Sequence, residues 1–134
     1  MAKSMTEAQL QRIAYVEDDP DIQFIVRLAL EASGLTVLAC SSGREALEKT
    51  AAFKPDLLLL DVMMPGLDGP ATLKAMRLMP ALACVPVVFM TAKVQPQEVE
   101  QYKAMDALAV ISKPFDPLTL AAQLRSLWSA RHEV

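Results

Sequence analysis

The chain has 134 residues, which is enough for one folded domain and leaves little for a second. Hydrophobic residues make up 53% of it, yet no apolar run reaches the length of about 20 residues that a membrane-spanning helix requires. The net charge is −3, with no basic run and few aromatic residues, which argues against direct binding to nucleic acid.

Residues 1–11 predict a short flexible leader rather than a secretory signal, because they contain no apolar stretch. We therefore expect a cytoplasmic protein without membrane contact, whose folded domain spans residues 12–132. Cys40 and Cys84 lack the spacing of a metal or redox motif. In a reducing compartment we expect both to be free thiols that pack as small residues.

The first half of the chain alternates apolar runs with helix signals. Asp19-Pro20 and Gly34 mark the start and the end of a first helix. Ser42 and Glu45 have capping-box spacing at the start of a second helix. The apolar runs between these signals predict strands at residues 13–16, 35–40 and 57–60.

The second half continues this alternation, with strands predicted at residues 85–90 and 108–111. Asp68 predicts the start of a third helix, residues 95–105 form a fourth, and Asp116-Pro117 opens a fifth. Continuously apolar strands separated by helices are typical of a parallel sheet covered on both faces. The sequence therefore predicts an α/β fold with a doubly wound five-stranded parallel sheet, (βα)₅. The inner face of the fifth helix carries Leu120, Ala121, Leu124, Leu127 and Trp128.

Polar side chains follow the apolar runs at the point where each strand ends. Glu17 and Asp18 follow the first strand, Asp61 the third, Thr91 the fourth and Lys113 the fifth. In an open α/β sheet these strand ends face one crevice, where three carboxylates would repel one another unless a cation joins them. One divalent ion and the Lys113 ammonium would balance their charge. Oxygen ligands without imidazole or thiolate favour Mg²⁺.

This set of side chains indicates phosphoryl transfer, because Mg²⁺ held by one or two carboxylates also binds phosphate oxygens. Asp61 is the candidate nucleophile, and Asp18 is a candidate metal ligand. Thr91 and Lys113 supply a hydroxyl and an ammonium for the charge on the transferred group. The single histidine, His132, lies at the tail, so we expect the phosphoryl donor to be another molecule.

Four segments occur in order at the strand ends: VEDDPDI at 16–22, LLLLDVMMPGLDG at 57–69, VVFMTA at 87–92 and SKPF at 112–115. With these segments the chain resembles a response-regulator receiver domain of two-component signalling, of the single-domain type. The resemblance implies a flavodoxin-like fold with strand order 2-1-3-4-5. That order would place the first and third strands side by side.

The resemblance also implies a signalling phosphoacceptor rather than an enzyme that turns over a metabolite. Asp61 would receive phosphate from a histidine kinase or a histidine phosphotransfer protein. Mg²⁺ would be held by Asp18, Asp61 and the backbone carbonyl of Met63, with Glu17 contacting it through water. Met63 and Lys93 would flank the phosphorylation site, and the bulky apolar side chain of Met63 predicts slow loss of phosphate.

Thr91, Ala92 and Lys113 would, by the same resemblance, bind the phosphoryl group and act in switching, and the bond between Lys113 and Pro114 would be cis. An unknown downstream protein would bind helix four, strand five and helix five, with a monomer as the simplest oligomeric state. Val110 departs from the family, because receiver domains usually have Tyr or Phe there. Without a ring that can turn inward, we expect signalling to depend on the loop after Thr91 and on helix four.

Three other interpretations stay open at this stage. A flavodoxin-like electron carrier would need a phosphate-binding loop where residues 17–19 carry three acids. Phosphatases with an aspartate nucleophile typically have a second Asp at the position of Met63. A pseudo-receiver that binds a partner without phosphate is encouraged by Val110 and opposed by the intact set of acceptor residues. The chain is either a stand-alone regulator or a domain excised from a longer protein.

Overall fold

Five parallel strands form one sheet in the order β2-β1-β3-β4-β5 in the computed structural model, which describes residues 9–92 and 95–132. This confirms the predicted doubly wound, flavodoxin-like α/β fold. The strands are β1 Arg12–Val16, β2 Thr36–Cys40, β3 Leu57–Asp61, β4 Val87–Thr91 and β5 Ala107–Ser112. The helices are α1 Pro20–Ala32, α2 Gly43–Phe53, α3 Gly69–Arg77, α4 Pro96–Ala104 and α5 Pro117–His132, with a short 3₁₀ turn at Pro80–Leu82.

Two of the predicted helix starts are capped by aspartate side chains. The Asp19 carboxylate accepts hydrogen bonds from the backbone N–H groups of Asp21, at 2.9 Å, and Ile22, at 3.2 Å. The Asp68 carboxylate accepts one from the N–H of Ala71 at 2.9 Å. Each cap satisfies N–H groups that have no partner inside the helix. Asp19 and Asp68 are therefore helix caps, as predicted.

The second helix begins with part of the predicted capping box. The Ser42 hydroxyl accepts a hydrogen bond from the Glu45 N–H at 3.0 Å. The Glu45 carboxylate reaches back to the N–H of Ser41 at 2.7 Å, one residue before the expected partner. Together these bonds fix where the chain turns from β2 into α2.

Helices cover both faces of the sheet, and each face has its own hydrophobic core. Strands β3 and β4 are buried along their whole length, which explains why their sequences are continuously apolar. The core under α1 and α5 includes Tyr15, Val26, Leu30, Leu59, Leu120, Leu124 and Trp128. The core under α2, α3 and α4 includes Ala46, Leu60, Leu73, Met76, Phe89 and Tyr102.

Strand β4 begins two residues later than the predicted start at Val85. The preceding segment forms the 3₁₀ turn, and its last carbonyl groups are bound by a side chain from α3. The Arg77 guanidinium donates to the carbonyl oxygen of Leu82 at 2.8 Å and to that of Val85 at 2.7 Å. Val85 is therefore held in a turn instead of in the sheet.

The two cysteines, both expected to pack as small residues, differ in burial. Cys84 is exposed, whereas Cys40 is buried, and burial raises the pKa of the Cys40 thiol to about 11. Met63 is 61% exposed in the loop after β3. The packing prediction was wrong for Cys84, because this residue lies in a turn, where alternation along a strand or helix gives no guide to burial.

A polar cluster closes the end of the sheet at which the strands begin; we call it the amino-end cluster (Gln11, Arg12, Phe53, Asp56 and Trp128). The Asp56 carboxylate accepts hydrogen bonds from the N–H groups of Gln11 at 3.1 Å and Arg12 at 2.9 Å. The Asp56 carbonyl accepts one from the Trp128 indole at 2.9 Å. The Arg12 guanidinium lies 4.1 Å from the centre of the Phe53 ring and donates to the Phe53 carbonyl.

The proposed boundary between leader and domain at residues 11 and 12 stays a prediction. Residues 1–8 and Lys93 lie outside the described residues. Leu10, which was assigned to the leader, is buried in the core under α1 and α5. Among the described helices, none has both the length and the apolar character needed to cross a membrane.

Candidate functional site

Three carboxylates meet where β1 and β3 end; we call them the acidic cluster (Glu17, Asp18 and Asp61). β1 and β3 are neighbours in the sheet, so that the residues following Val16 lie beside the end of β3. Each residue of the cluster has a carboxylate oxygen within 4.8 Å of one on each of the others. Glu17 and Asp61 are buried, and Asp18 is exposed. The cluster is therefore fixed by the sheet and open to solvent on one side.

Lys113 reaches the acidic cluster from the end of β5. Its ammonium lies 3.0 Å from an oxygen of Glu17 and 3.1 Å from an oxygen of Asp61. The Lys113 N–H donates to the Thr91 carbonyl at 2.8 Å, and the bond to Pro114 is cis, which confirms that prediction. One ammonium faces three carboxylates, so negative charge remains in excess among these side chains.

The pKa values of the site residues show the effect of this excess. Burial raises the pKa of Glu17, and the Asp61 charge raises it further, against the lowering effect of the bond from Lys113. Burial lowers the pKa of Lys113, but its bonds to Glu17 and Asp61 outweigh this and leave the pKa raised. Burial, Glu17 and Asp61 also raise the pKa of Tyr15, whose hydroxyl lies 3.5 Å from Glu17. Each of the three groups therefore holds its proton more strongly than usual, which lowers the negative charge of the site.

The other predicted site residues differ in their distance from the cluster along the sheet. Thr91 is buried at the end of β4, and Ala92 follows it on the surface. Met63 is exposed two residues after Asp61. Val110 is half-buried in β5, where it pairs with Phe89 of β4. Thr91 and Ala92 thus lie beside the acidic cluster, whereas Val110 lies deeper along the sheet.

The loop after Asp61 is held close to the sheet by two backbone hydrogen bonds. The Val62 N–H donates to the Met90 carbonyl at 2.9 Å, and the Gly69 N–H donates to the Val62 carbonyl at 3.0 Å. A side chain at position 69 would clash with the Asp61 carbonyl oxygen. Gly69 was not predicted to matter for the site. A signal was present, since glycine directly after the Asp68 cap suits close backbone contact.

Gln23 and Tyr15 also support the site and were missed by the sequence reasoning. The Gln23 amide donates to the carbonyl of Glu17 at 2.9 Å and to that of Cys40 at 3.1 Å. It thereby ties the end of β1 to the end of β2. The available signals were a polar side chain in the first turn of α1 and a Tyr two residues before Glu17 in an otherwise apolar strand.

The acidic cluster offers the ligands that a hard divalent cation prefers. Its donor atoms are all carboxylate oxygens, and no imidazole or thiolate joins the cluster among residues 9–92 and 95–132. Mg²⁺ takes one or two carboxylates and keeps several waters, which the exposed side at Asp18 allows. The residues present therefore fit Mg²⁺.

Comparison with known proteins decides the family. The family model described as "Response regulator receiver domain" matches residues 13–125. This chain belongs to the response regulator receiver family. It is similar to the transcriptional regulatory protein CseB of Streptomyces coelicolor, with 36% identity over 120 residues, which are 90% of this chain and 50% of CseB.

Solved receiver structures share the fold. The chemotaxis protein CheY4 of Vibrio cholerae has a TM-score of 0.82 and 30% identity, covering 88% of this chain and 98% of CheY4. The signal receiver domain of a signal transduction histidine kinase from Syntrophus aciditrophicus has a TM-score of 0.77 and 30% identity. The match covers 92% of this chain and 94% of that domain.

The protein is thus a receiver domain of two-component signalling, a family in which phosphorylation and Mg²⁺ binding are general properties. Receiver domains bind Mg²⁺ in an acidic pocket, and this chain has an acidic cluster of three carboxylates. They interact with histidine kinases or phosphotransfer proteins. The chain spans about half the length of the curated relatives it matches.

Proposed function

We propose that this receiver domain accepts a phosphoryl group on Asp61 from a histidine kinase or a histidine phosphotransfer protein, in a reaction that requires Mg²⁺. The observation that carries the proposal is the acidic cluster, in which two buried carboxylates share one ammonium and a third faces solvent. Burying acids with too few cations destabilises a fold, so their presence at the strand ends favours a functional role.

Asp18, Asp61 and the backbone carbonyl of Met63 would hold Mg²⁺, and Glu17 would contact it through water. When bound, Mg²⁺ neutralises charge on the phosphoryl oxygens. Lys113 already lies between Glu17 and Asp61, and from there its ammonium would bind a phosphoryl oxygen as the donor approaches.

The chemical step belongs to Asp61. One of its carboxylate oxygens forms a bond to phosphorus while the bond from phosphorus to the donor's imidazole nitrogen breaks, and that nitrogen leaves with the electron pair. Thr91, at the buried end of β4, and Ala92, which follows it, would bind the transferred group. The domain catalyses its own modification and does not turn over a metabolite.

An apolar surface beside the site would receive the donor. Phe24, Ile25 and Leu28 of α1 are 65%, 50% and 57% exposed, although large apolar side chains are normally buried. A cavity continues from this surface to Lys113. Its lining residues are Ile22, Ile25, Val26, Ala92, Lys113, Pro114, Phe115 and Pro117. A donor helix packed here would bring its phosphohistidine to Asp61.

A downstream protein would then bind the surface formed by α4, β5 and α5. We place this signalling in the cytoplasm, with the domain acting as a monomer. The carboxylates of the acidic cluster follow β1 and β3, so α4, β5 and α5 contribute none of them.

Intact-mass measurement tests the proposal. The chain is incubated with Mg²⁺ and acetyl phosphate, beside a metal-free sample, an Asp61→Asn variant and an Asp106→Asn control. Asp106 is an exposed acid with a φ of 68°, which asparagine adopts readily. We expect one added phosphoryl group in the parent and the control only when Mg²⁺ is present.

Two results would contradict this expectation. Phosphorylation of the Asp61→Asn variant would place the acceptor elsewhere. An unmodified parent that a histidine kinase also fails to phosphorylate would favour the pseudo-receiver interpretation.

A further inference from the structure

Helix α4 is attached to the sheet through very little buried surface. All of its residues are described, and Tyr102 is the one among them that is buried. Its N-cap residue, Gln95, makes no side-chain capping bond to the described residues, whereas Asp19, Ser42 and Asp68 cap α1, α2 and α3. The position of α4 therefore depends mainly on where the Tyr102 ring can pack.

The ring of Tyr102 packs on the strand that carries Thr91. The centres of the Tyr102 and Phe89 rings are 5.1 Å apart, with their planes tilted by 44°. Phe89 is completely buried in β4, two residues before Thr91, so both side chains point to the same face of the sheet. A displacement of Thr91 would be passed along β4 to this ring contact.

The ring that packs against Phe89 on this face of the sheet belongs to Tyr102 of α4. It does not come from β5, the edge strand. Val110 of β5 pairs with Phe89 in the parallel register, and its smaller side chain is half-buried against the same core. A bulky ring at position 110 could rotate while α4 stayed in place. The ring of Tyr102 cannot move far without moving α4.

The observed position of α4 also leaves a charged group poorly satisfied. Glu98 lies one helical turn before Tyr102, and its Oε1 atom is buried with no hydrogen-bond partner among the described residues. Burial raises the pKa of the Tyr102 hydroxyl, and the charges of Glu98 and Asp68 raise it further. An unpaired buried carboxylate oxygen makes this arrangement less stable than one in which the oxygen has a hydrogen-bond partner.

We infer that Tyr102 couples the phosphorylation site to α4, so that movement of Thr91 toward a phosphoryl group shifts Phe89, the Tyr102 ring and the helix together. The inference rests on the proposed phosphorylation of Asp61. It assigns to a helix residue the switching role that Val110 cannot fill, and it makes the outer face of α4 the surface that changes.

Fluorine NMR of the chain labelled with 3-fluorotyrosine tests this coupling. The sequence contains two tyrosines, and they report on different events. Tyr15 lies beside Glu17 and reports on loading of the site, whereas Tyr102 reports on α4. A Tyr102→Phe variant assigns the two resonances. Spectra are recorded with Mg²⁺, before and during incubation with excess acetyl phosphate.

We expect both resonances to shift in the phosphorylated parent. In a Phe89→Leu variant, which removes the ring contact and keeps an apolar side chain, we expect the Tyr15 shift to remain and the Tyr102 shift to fall by at least about half. A Tyr15 shift without a Tyr102 shift in the parent would overturn the coupling and leave the proposed function intact. If neither resonance moves and no mass is gained, both inferences fail.

Discussion

The two ends of the sheet hold acidic side chains in opposite ways: Asp56 is half-buried at one end, and Glu17 and Asp61 are buried at the other. In the amino-end cluster, the Asp56 carboxylate accepts two backbone N–H groups, and its carbonyl accepts the Trp128 indole. At the other end, Glu17 and Asp61 share the single ammonium of Lys113. A carboxylate whose hydrogen bonds are satisfied by backbone N–H groups stabilises the fold. Acids that share too few donors leave negative charge in excess, which suits the proposed binding of a cation and a phosphoryl group.

The largest effect on stability should come from the amino-end cluster. Trp128→Ala removes a buried ring and the indole donor to Asp56, so we expect the free energy of unfolding to fall by about 3–5 kcal/mol. Urea denaturation measures the loss. Leu118→Ala is the control, because Leu118 is 90% exposed and its loss should change stability by no more than about 0.5 kcal/mol. Equal losses of stability in the two variants would show that the contacts of Trp128 do not stabilise the fold as described.

Mg²⁺ should stabilise the protein through the acidic cluster. At a concentration ten times its dissociation constant, a cation that binds the folded state raises the free energy of unfolding by about 1.4 kcal/mol. Thermal denaturation with and without Mg²⁺ measures this gain. Asp18→Asn should reduce it, because Asp18 supplies the exposed carboxylate of the cluster. If Mg²⁺ stabilised the parent and the Asp18→Asn variant equally, the cation would bind outside the acidic cluster.

Removing one charge from the acidic cluster should help the metal-free fold. In Glu17→Gln the buried negative charge is lost while Lys113 keeps Asp61 as a partner, so we expect the free energy of unfolding to rise by up to about 1 kcal/mol. Mg²⁺ should then stabilise the variant less than the parent. Glu31→Gln, at an exposed pair with Arg27, is the control and should show no gain. A marked loss of stability in Glu17→Gln would mean that the carboxylate is structural.

Met63→Asn should have the smallest effect on stability, but it should change the rate at which phosphate is lost. Met63 is exposed, so Met63→Asn should alter the free energy of unfolding by no more than about 0.5 kcal/mol. The amide can hydrogen-bond a water near Asp61, and we expect phosphate to be lost faster than from the parent. Loss of added mass over time measures the rate, with Met63→Leu as the apolar control. An unchanged rate in Met63→Asn would show that this side chain does not limit hydrolysis.

Much of this organisation is visible in the sequence because its signals are local. Asp19 and Asp68 precede prolines or small residues at helix starts, and their capping bonds form within three residues. The acidic residues follow apolar runs directly, and parallel strands bring their carboxyl ends to one edge of the sheet. The fold and the meeting of Glu17, Asp18 and Asp61 therefore follow from short patterns.

The features that were missed depend on side-chain contacts between different elements of the fold. Val85 was assigned to a strand because it is apolar. The side chain that holds it in a turn is that of Arg77, which belongs to α3. The burial of Tyr102 was not predicted, because α4 carries mostly polar residues and its ring packs on Phe89 of a different element. Such contacts appear only once the chain is folded.

The position of β3 in the middle of the sheet has a consequence for how receiver domains can diverge. Asp61 ends a fully buried strand with hydrogen-bonded neighbours on both sides, so nearly any change along that strand disturbs packing. The outer surfaces of α1 and α4 contribute few residues to that core. Under the proposed function, changes on those helices would alter kinase preference and partner choice, by natural variation or by design, while the proposed acceptor Asp61 keeps its place.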